Sequence, residues 1–263
     1  MPLEEAIVLL IQTAFEQEFK AVISALKRPG PAADCGIEAR GLNSWQGDSR
    51  RLVQGWIGDR HCWVLKSGIG QPAAAGALAE VLAGIERPRL IISIGFAGGL
   101  DPQVRVGEKF LIREVRLCGS EPRSMFPALN RLALSPESAP RSALLLTGDR
   151  PVVTPQAKAN LWRETSAVLC DMESHAVATV AAEHGVPWLG ARIVSDSAEE
   201  TLKAWVLQLP ELVERRRWDA LLRLLCTHPQ DLPGLLRLAY RMRALQLQLS
   251  QFIVELIFNV VET

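Results

Sequence analysis

Acidic side chains follow two apolar segments of the sequence, and their placement suggests acid–base chemistry. Asp171 and, two residues later, Glu173 follow the apolar segment Val168-Leu169-Cys170. Asp196 closes the apolar run from Trp188 to Val194. Such runs are typical of buried strands, and α/β proteins bind ligands at the carboxyl ends of those strands. We therefore expect these carboxylates to meet at one edge of a sheet.

The types of these residues suit cleavage of a bond between ribose and a nitrogen base. That reaction creates positive charge on the sugar and negative charge on the leaving base. Asp196, preceded by Ser195, could protonate or hydrogen-bond the ring nitrogen of a purine. Glu173 could hold the ribose hydroxyls, while Met172 offers the sugar an apolar face. Glu18 could activate a water molecule.

Two glycine-rich segments are predicted to place backbone amides against the ligand. The first, Ser67-Gly68-Ile69-Gly70, lies between a predicted strand and a predicted helix and is expected to line the nucleophile or phosphate pocket. The second runs from Gly95 to Gly98 and includes Phe96 and Ala97, which are expected to line the base pocket. The histidines have no metal-ligand spacing, so the sequence predicts no metal site.

Each candidate also has a plainer explanation. Asp171 and Glu173 could cap a helix, and Glu18 could be a solvated residue of a first helical turn. Asp196 could belong to an ordinary turn after a strand. The glycines could serve turns alone.

Apolar runs and helical segments alternate along the first 200 residues. Ala6–Thr13, Leu90–Ile94 and Ser142–Thr147 are predicted strands, and Pro72–Ala83 and Gln156–Thr165 are predicted helices. This alternation predicts an α/β fold with three layers (α/β/α) and a mostly parallel twisted central sheet over residues 1–204. Residues 205–263 are predicted to form an amphipathic helical extension, because leucines recur there every three or four positions among arginines.

Composition narrows the class of protein and its partners. The 263 residues are 48% hydrophobic, which is enough to bury a full core and argues against disorder. The 29 basic and 29 acidic residues cancel, so nucleic acid is not an expected partner. The five cysteines are widely spaced and are predicted to be reduced and buried in a cytoplasmic protein.

The order and approximate spacing of five segments resemble the nucleoside phosphorylase and nucleosidase superfamily. These segments are Ala14-Phe15-Glu16-Gln17-Glu18, Ser67-Gly68-Ile69-Gly70, Gly95-Phe96-Ala97-Gly98-Gly99-Leu100, Asp171-Met172-Glu173-Ser174 and Ser195-Asp196. Gly-Phe-Ala-Gly-Gly-Leu-Asp-Pro (95–102), Asp-Met-Glu-Ser-His (171–175) and the helical tail are most similar to the hopanoid-associated phosphorylases. That similarity implies removal of adenine from adenosylhopane. It also implies that Met172 and Glu173 bind ribose, that Asp196 is the acid on the purine side, and that Val152 meets the base through its backbone.

One position departs from the phosphorolytic members of that superfamily. They usually place an arginine near position 18 to bind phosphate, whereas Glu18 is similar to the water-activating glutamate of the methylthioadenosine and adenosylhomocysteine nucleosidases. A carboxylate there would repel phosphate in a poorly screened pocket. The sequence therefore favours hydrolysis without a cofactor, with phosphate as the alternative co-substrate.

The expected partners follow from these interpretations. The substrate is a small nucleoside or a nucleoside attached to a lipid, and the alternatives are a methylthioadenosine-type nucleosidase and a non-catalytic nucleoside-binding module. The default expectation for the tail is a helix docked on its own domain or on a partner subunit of a homo-oligomer. A lipid substrate would instead favour contact between the tail and the inner membrane surface.

Overall fold

The structure, a computed structural model, describes residues 8–26, 39–40, 51–119, 124–127, 132–133, 140–203, 205, 212, 217–227 and 229–260. Its strands are β1 (Val8–Thr13), β2 (Ala39–Arg40), β3 (Arg51–Ile57), β4 (Arg60–Lys66), β5 (Leu90–Gly99), β6 (Lys109–Leu117), β7 (Ser124–Met125), β8 (Arg141–Thr147), β9 (Leu169–Asp171) and β10 (Trp188–Asp196). Its helices are α1 (Glu16–Ala25), α2 (Gln71–Gly84), α3 (Pro155–Thr165), α4 (Ser174–Glu183), α5 (Trp218–Thr227) and α6 (Leu232–Phe258). The predicted α/β class is confirmed.

The strands form one sheet of mixed pairing rather than a mostly parallel one. Strands β4, β1, β5 and β10 pair in parallel, and so do β6, β8 and β9. These two groups are joined by antiparallel pairings, β10 with β6 and β5 with β9. Strands β5, β10, β6, β8 and β9 therefore close into a ring, and β1, β4, β3 and β2 extend from it.

This closure depends on the length of β5. The sequence predicted a strand that ends at Ile94, but β5 continues through the glycines to Gly99. Its first half pairs with β1, and Gly98 and Gly99 pair with β9. A Cβ on Gly99 would lie 3.2 Å from the backbone oxygen of Asp196, so the glycine permits a close approach of β5 to the end of β10.

Opposite faces of the sheet carry separate hydrophobic cores. In β1, Leu9 and Ile11 belong to one core and Leu10 to the other, as the alternation of side chains along a strand requires. Helices α1 and α6 pack into the first core, and α2 and α4 pack into the second. The helices thus hold the carboxyl ends of the central strands at fixed positions.

Part of the predicted C-terminal extension packs into the main core. Helix α6 is a single helix of 27 residues, and its second half contributes buried side chains such as Phe252 and Ile253 to the core beside α1. Its first half leaves Leu236 and Tyr240 exposed. The default expectation of a helix docked on its own domain describes the second half. Among the described helices, none combines the length and apolar character needed to cross a bilayer.

The cysteines divide into buried and exposed thiols. Cys62 and Cys170 are buried, as expected, whereas the expectation of burial is wrong for Cys118 and Cys226, which are exposed. Cys35 lies outside the described residues. Burial raises the pKa values of Cys62 and Cys170 to about 12, so both stay neutral thiols near neutral pH.

Candidate active site

Glu18 lies in the first turn of α1, directly after the carboxyl end of β1, and it is almost fully buried. Its Oε2 accepts hydrogen bonds from the backbone amides of Ala14 (2.8 Å) and Phe15 (3.3 Å). Its Oε1 accepts a hydrogen bond from the amide of Phe96 on β5 (2.7 Å). A Cβ on Gly95 would lie 2.4 Å from this Oε1, so the carboxyl group can reach the strand because residue 95 is glycine. The interpretation of Glu18 as a solvated residue is wrong.

Glu173 lies on the neighbouring connection, between β9 and α4. Its Oε1 accepts a hydrogen bond from the amide of Gly70 (2.7 Å), and its Oε2 accepts one from the amide of the half-buried Met172 (3.3 Å). Glu173 is therefore held between the start of α4 and the loop that precedes α2. Met172 lies beside the carboxyl group with which it was predicted to bind ribose.

The two glutamates interact electrostatically. Burial raises the pKa of Glu18 to about 7, although its backbone donors and Arg192 favour the charged form. Burial, and after it the negative charges of Asp171 and Glu18, raises the pKa of Glu173 to about 8. The carboxyl groups of Glu18 and Glu173 thus share one poorly solvated region. A carboxyl group with a pKa near 7 is suited to accept a proton from water at neutral pH.

Three amides of the predicted nucleophile pocket donate hydrogen bonds within the protein. Ser67 donates its amide to Thr13 (2.9 Å), and Gly68 donates to Ala14 (3.0 Å). Gly70 donates to Glu173. Ile69, half exposed, projects from the same loop. These bonds fasten β4 and its loop to β1 and α4, so the segment acts as a scaffold for the two glutamates.

Asp196 ends β10, and only 5% of its surface is exposed. Its Oδ1 accepts a hydrogen bond from the hydroxyl of Ser195 (2.6 Å), and its Oδ2 accepts one from the ammonium group of Lys158 on α3. Lys158 is fully buried, and it also donates to the backbone oxygens of Ser197 (2.6 Å) and Glu200 (3.3 Å). Asp196 is therefore one half of a buried ion pair.

Of the remaining predicted base-binding residues, Phe96 and Ala97 lie on β5, and Val152 precedes α3. Ala97 is buried, and its backbone oxygen accepts a hydrogen bond from Ser195 (3.2 Å). The ring of Phe96 lies 5.9 Å from that of Phe15. Val152 packs in a small cluster with Cys170, whose thiol is close enough to Asp196 to feel its charge. Strand β5 thus contacts both Glu18, through the amide of Phe96, and Ser195 beside Asp196, through the backbone oxygen of Ala97.

Asp171 has the helix-capping role that the sequence offered as its plainer explanation. Its Oδ2 accepts hydrogen bonds from Ser174 (hydroxyl, 2.5 Å) and from Nη2 of Arg192 (3.0 Å). Its Oδ1 accepts a hydrogen bond from the hydroxyl of Thr147 (2.9 Å). The carboxylate therefore fixes the start of α4, and through it the position of Glu173.

A chain of buried polar side chains runs beneath the site across four strands. Arg192 on β10 donates to the hydroxyl of Ser93 on β5 (2.9 Å), and Ser93 donates to Gln12 on β1 (2.8 Å). Gln12 in turn donates to the hydroxyl of Ser67 after β4 (2.8 Å). Buried polar groups that satisfy one another in this way hold a single arrangement of the strand ends.

The roles of Arg192, Lys158 and Gly95 were not predicted from the sequence. The role of Arg192 could have been predicted, because a charged residue inside an otherwise apolar strand needs a partner when it is buried. The role of Lys158 could not have been predicted, since an isolated lysine in a helix is usually exposed. Within the described residues, no group of three or more histidine, cysteine, aspartate or glutamate side chains is placed to hold a metal ion.

Comparisons with known proteins identify the family and several relatives of this chain. A family model described as the phosphorylase superfamily matches residues 8–226. A 5'-methylthioadenosine/S-adenosylhomocysteine nucleosidase of Baumannia cicadellinicola is 29% identical over 179 residues, which cover 60% of this chain and 78% of that protein. A futalosine hydrolase of Streptomyces coelicolor is 31% identical over 210 residues, which cover 72% of this chain and 83% of that protein.

Solved structures share the fold over almost the whole chain. The native futalosine hydrolase of Helicobacter pylori aligns with a TM-score of 0.70 at 13% identity and covers 98% of this chain and 100% of its own. A 5'-methylthioadenosine/S-adenosylhomocysteine nucleosidase of the same organism, solved with butyl-thio-DADMe-Immucillin-A, aligns with a TM-score of 0.68 at 16% identity and the same coverage. These alignments extend the shared fold into the C-terminal residues, beyond residue 226.

Proposed function

The chain belongs to the phosphorylase superfamily, and from that premise we propose that it cleaves the N-ribosidic bond of a purine nucleoside by attack of water. The observation that carries this proposal is the buried Glu18 carboxyl group beside Glu173, with a pKa raised to about 7. A group of this kind accepts a proton from water near neutral pH. The names of the relatives, which include nucleosidases and a hydrolase, support the same class of reaction.

In the proposed reaction, Glu18 takes a proton from a water molecule, whose oxygen bonds to C1′ of the ribose. Glu173 binds the ribose hydroxyls and, in its ionised form, balances the positive charge that develops on the sugar. The bond between C1′ and N9 breaks, and its electron pair goes to the base. The base takes up a proton at N7, for which the hydrogen bond from the half-buried Ser195 to Asp196 provides a route from solvent.

Water is favoured over phosphate as the nucleophile because of the charges and hydrogen-bond donors around Glu18 and Glu173. A phosphate dianion would meet two carboxyl groups in a region of low solvation, and either one would repel it when ionised. The amides of Ser67, Gly68 and Gly70, which were expected to bind phosphate, donate to other protein atoms. Phosphorolysis is the alternative that the similarity to hopanoid-associated phosphorylases implies.

Turnover with and without phosphate tests the choice of nucleophile. We expect the chain to release adenine from adenosine or 5'-methylthioadenosine in phosphate-free buffer, with free ribose or methylthioribose as the sugar product. Added phosphate should leave the rate unchanged. A sugar 1-phosphate as the product, identified by mass spectrometry, would show phosphorolysis instead.

The proposal also concerns which base and which 5′ substituent the nucleoside substrate carries. Adenine is the proposed base, and adenosylhopane the proposed lipid-bearing substrate, on the sequence similarity alone. The alternative is a soluble substrate of the methylthioadenosine or adenosylhomocysteine type, as in the names of several relatives. Competition between 5'-methylthioadenosine and an adenosine with a long 5′-alkyl chain would rank the two classes.

A non-catalytic nucleoside-binding module is the alternative from a different class of protein. Substitution Asp196→Asn distinguishes the two, because a binding module should keep its affinity for a nucleoside while an enzyme should lose turnover. The expected loss is about 10²- to 10⁴-fold in kcat, the usual contribution of a group that assists proton transfer.

Self-association, cytoplasmic location and contact with the inner membrane stay predictions. Light scattering of the purified chain measures self-association. For the membrane, the exposed Leu236 and Tyr240 of α6 are the side chains to change. Equal flotation with anionic vesicles of the intact chain and of the Leu236→Ser/Tyr240→Ser variant would end the membrane interpretation of this helix.

A further inference from the structure

We propose that Gln12 is a positioning residue for the cleavage reaction, because its side-chain amide sets the separation between the carboxyl groups of Glu18 and Glu173. The inference rests on the proposed function for the roles of these two glutamates. Gln12 acts through the two serines that it contacts, Ser67 and Ser93, and it is not itself a catalytic residue.

Gln12 lies near the carboxyl end of β1, and its buried side chain joins the strands on either side. Its Nε2 donates to the hydroxyl of Ser67, directly after β4 (2.8 Å). Its Oε1 accepts a hydrogen bond from the hydroxyl of Ser93 on β5 (2.8 Å). Both serines are fully buried. One amide group therefore connects the end of β4 to β5 through β1.

The two serines lead directly to the backbone amides that hold the glutamates. Three residues after Ser67, the amide of Gly70 donates to Glu173 (2.7 Å). Three residues after Ser93, the amide of Phe96 donates to the other glutamate (2.7 Å). A shift of either serine would thus move one carboxyl group relative to the other. The side-chain amide that contacts both serines is placed to fix their separation.

The direction of these hydrogen bonds is set at Arg192. A guanidinium group can only donate, and its Nη2 donates to the hydroxyl oxygen of Ser93 (2.9 Å). The hydrogen of that hydroxyl is left for Oε1 of Gln12, so Nε2 must face Ser67. Ser67 in turn donates to the backbone oxygen of Thr13 (3.1 Å). One orientation of the amide therefore satisfies both serines, which favours a single arrangement of the strands.

An apolar side chain at position 12 would fill a similar space but would remove a partner from each serine. Buried hydroxyl groups that lose a partner favour any shift that provides another one. The loop after β4 and strand β5 would then no longer be held at one separation. A displacement of about 1 Å in a catalytic group can lower the rate about 10²-fold.

Turnover by three variants tests the inference. Gln12→Met keeps the length of the side chain without its amide, and kcat per folded molecule should fall about 10²-fold. Gln12→Glu, which in its protonated form has one donor and one acceptor, should recover at least about tenfold of that loss. Ile11→Ala is the matched control for lost stability, because Ile11 is fully buried on the same strand and has no polar side-chain group. Its kcat per folded molecule should stay within about threefold of that of the parent chain.

Three results would overturn the inference. They are a loss below about tenfold in Gln12→Met, an equal loss in Gln12→Glu, and an equal loss in Ile11→Ala. The last result would show that any packing defect in β1 disturbs the reaction.

Crystal structures provide a second measurement that needs no turnover. The distance between the carboxyl carbons of Glu18 and Glu173 should change by about 1 Å in Gln12→Met and should stay the same in Ile11→Ala. If Gln12→Met does not fold, Ser93→Ala breaks the same connection at its other end, and the same change is expected. An unchanged distance would overturn the inference. A parent chain that cleaves no nucleoside would instead contradict the proposed function, while the distances would still test the positioning role of Gln12.

Discussion

At the scale of single residues, the proton affinity of a carboxyl group depends on its surroundings more than on whether it belongs to aspartate or glutamate. Glu18 occupies the third position of α1 and accepts the amide of Phe15, as a helix-capping glutamate does. A capping glutamate at a surface stays ionised. Burial between α1 and β5 instead raises the pKa of Glu18 to about 7. The same contact that stabilises the helix thus gives the residue a proton affinity suited to catalysis.

The raised pKa values predict a dependence of activity on pH. Below pH 7, Glu18 is protonated in the free enzyme and cannot accept a proton from water, and Glu173 is protonated as well. We expect kcat/KM to fall about tenfold or more for each pH unit below 7 and to level off above pH 8. Initial rates between pH 5 and 9 measure this, and Glu18→Gln should abolish turnover. The exposed Glu164 provides the control, since Glu164→Gln should leave the profile unchanged. A flat profile between pH 6 and 8 would contradict the role given to Glu18.

Gly95 offers a second test at this scale. Substitution Gly95→Ala places a Cβ 2.4 Å from Oε1 of Glu18, so the carboxyl group must move away from the amide of Phe96. A displacement of about 1 Å in a catalytic group can cost about 10²-fold in rate, and we expect that loss in kcat/KM. Gly84→Ala is the matched control, because a Cβ at Gly84 meets no atom within 4 Å. Full activity of Gly95→Ala would show that the contact with Phe96 is dispensable.

At the scale of elements, the site is assembled from strand ends that a buried polar network keeps in register. β1, β4, β5, β9 and β10 each deliver a backbone or side-chain group to the site, and Arg192 ties β10 to β5 and to the start of α4. The helices add charge and support: α1 carries Glu18, and α3 carries Lys158. Because these contacts cross between elements, a shift of one helix would separate the carboxyl groups.

Helix α6 supports the face of the sheet on which α1 rests. Phe252 is fully buried in the core that α1 and α6 share, whereas Leu247 on the same helix is mostly exposed. Phe252→Ala should therefore lower the free energy of unfolding by about 3–5 kcal/mol. Leu247→Ala should change it by no more than about 0.5 kcal/mol. Urea denaturation measures both, and similar values for the two variants would show that α6 does not belong to the core.

At the scale of the whole molecule, one hydrophobic core contains side chains from β1, α1 and α6. Leu245, Leu249, Phe252, Ile253 and Leu256 of α6 are buried against side chains of α1 and of the sheet. Removing them exposes a large apolar face of the catalytic unit to water. We therefore expect the C-terminal helix to be required for the fold that holds the candidate site.

A truncated chain tests whether the fold requires the C-terminal helix. Deletion of residues 205–263 should leave a product that is insoluble or lacks a cooperative thermal transition, as measured by soluble yield and circular dichroism. The intact chain with Leu236→Ser and Tyr240→Ser, which alters only exposed positions of α6, should keep its transition. A truncated chain that is soluble, cooperative and active would instead support the extension predicted from the sequence.

The sequence by itself determined the α/β class and the bounds of several helices and strands. Apolar runs and helical periods are local properties, so β1, β10, α2 and α3 could be predicted within a few residues of their observed bounds. The sequence also predicted that Glu173 and Asp196 lie at the carboxyl ends of parallel strands, but β9, which precedes Glu173, runs antiparallel to β5, the parallel neighbour of β10.

Only the tertiary structure decided the charge states and the closure of the sheet. The extension of β5 through Gly99 depends on strands β9 and β10, which come about 70 to 100 residues later in the sequence. The ion pair of Lys158 with Asp196, and the proton affinity of Glu18, likewise depend on burial by distant elements. Burial and pairing are set by long-range packing, and the free energy of a charge depends on that environment more than on the residue that carries it.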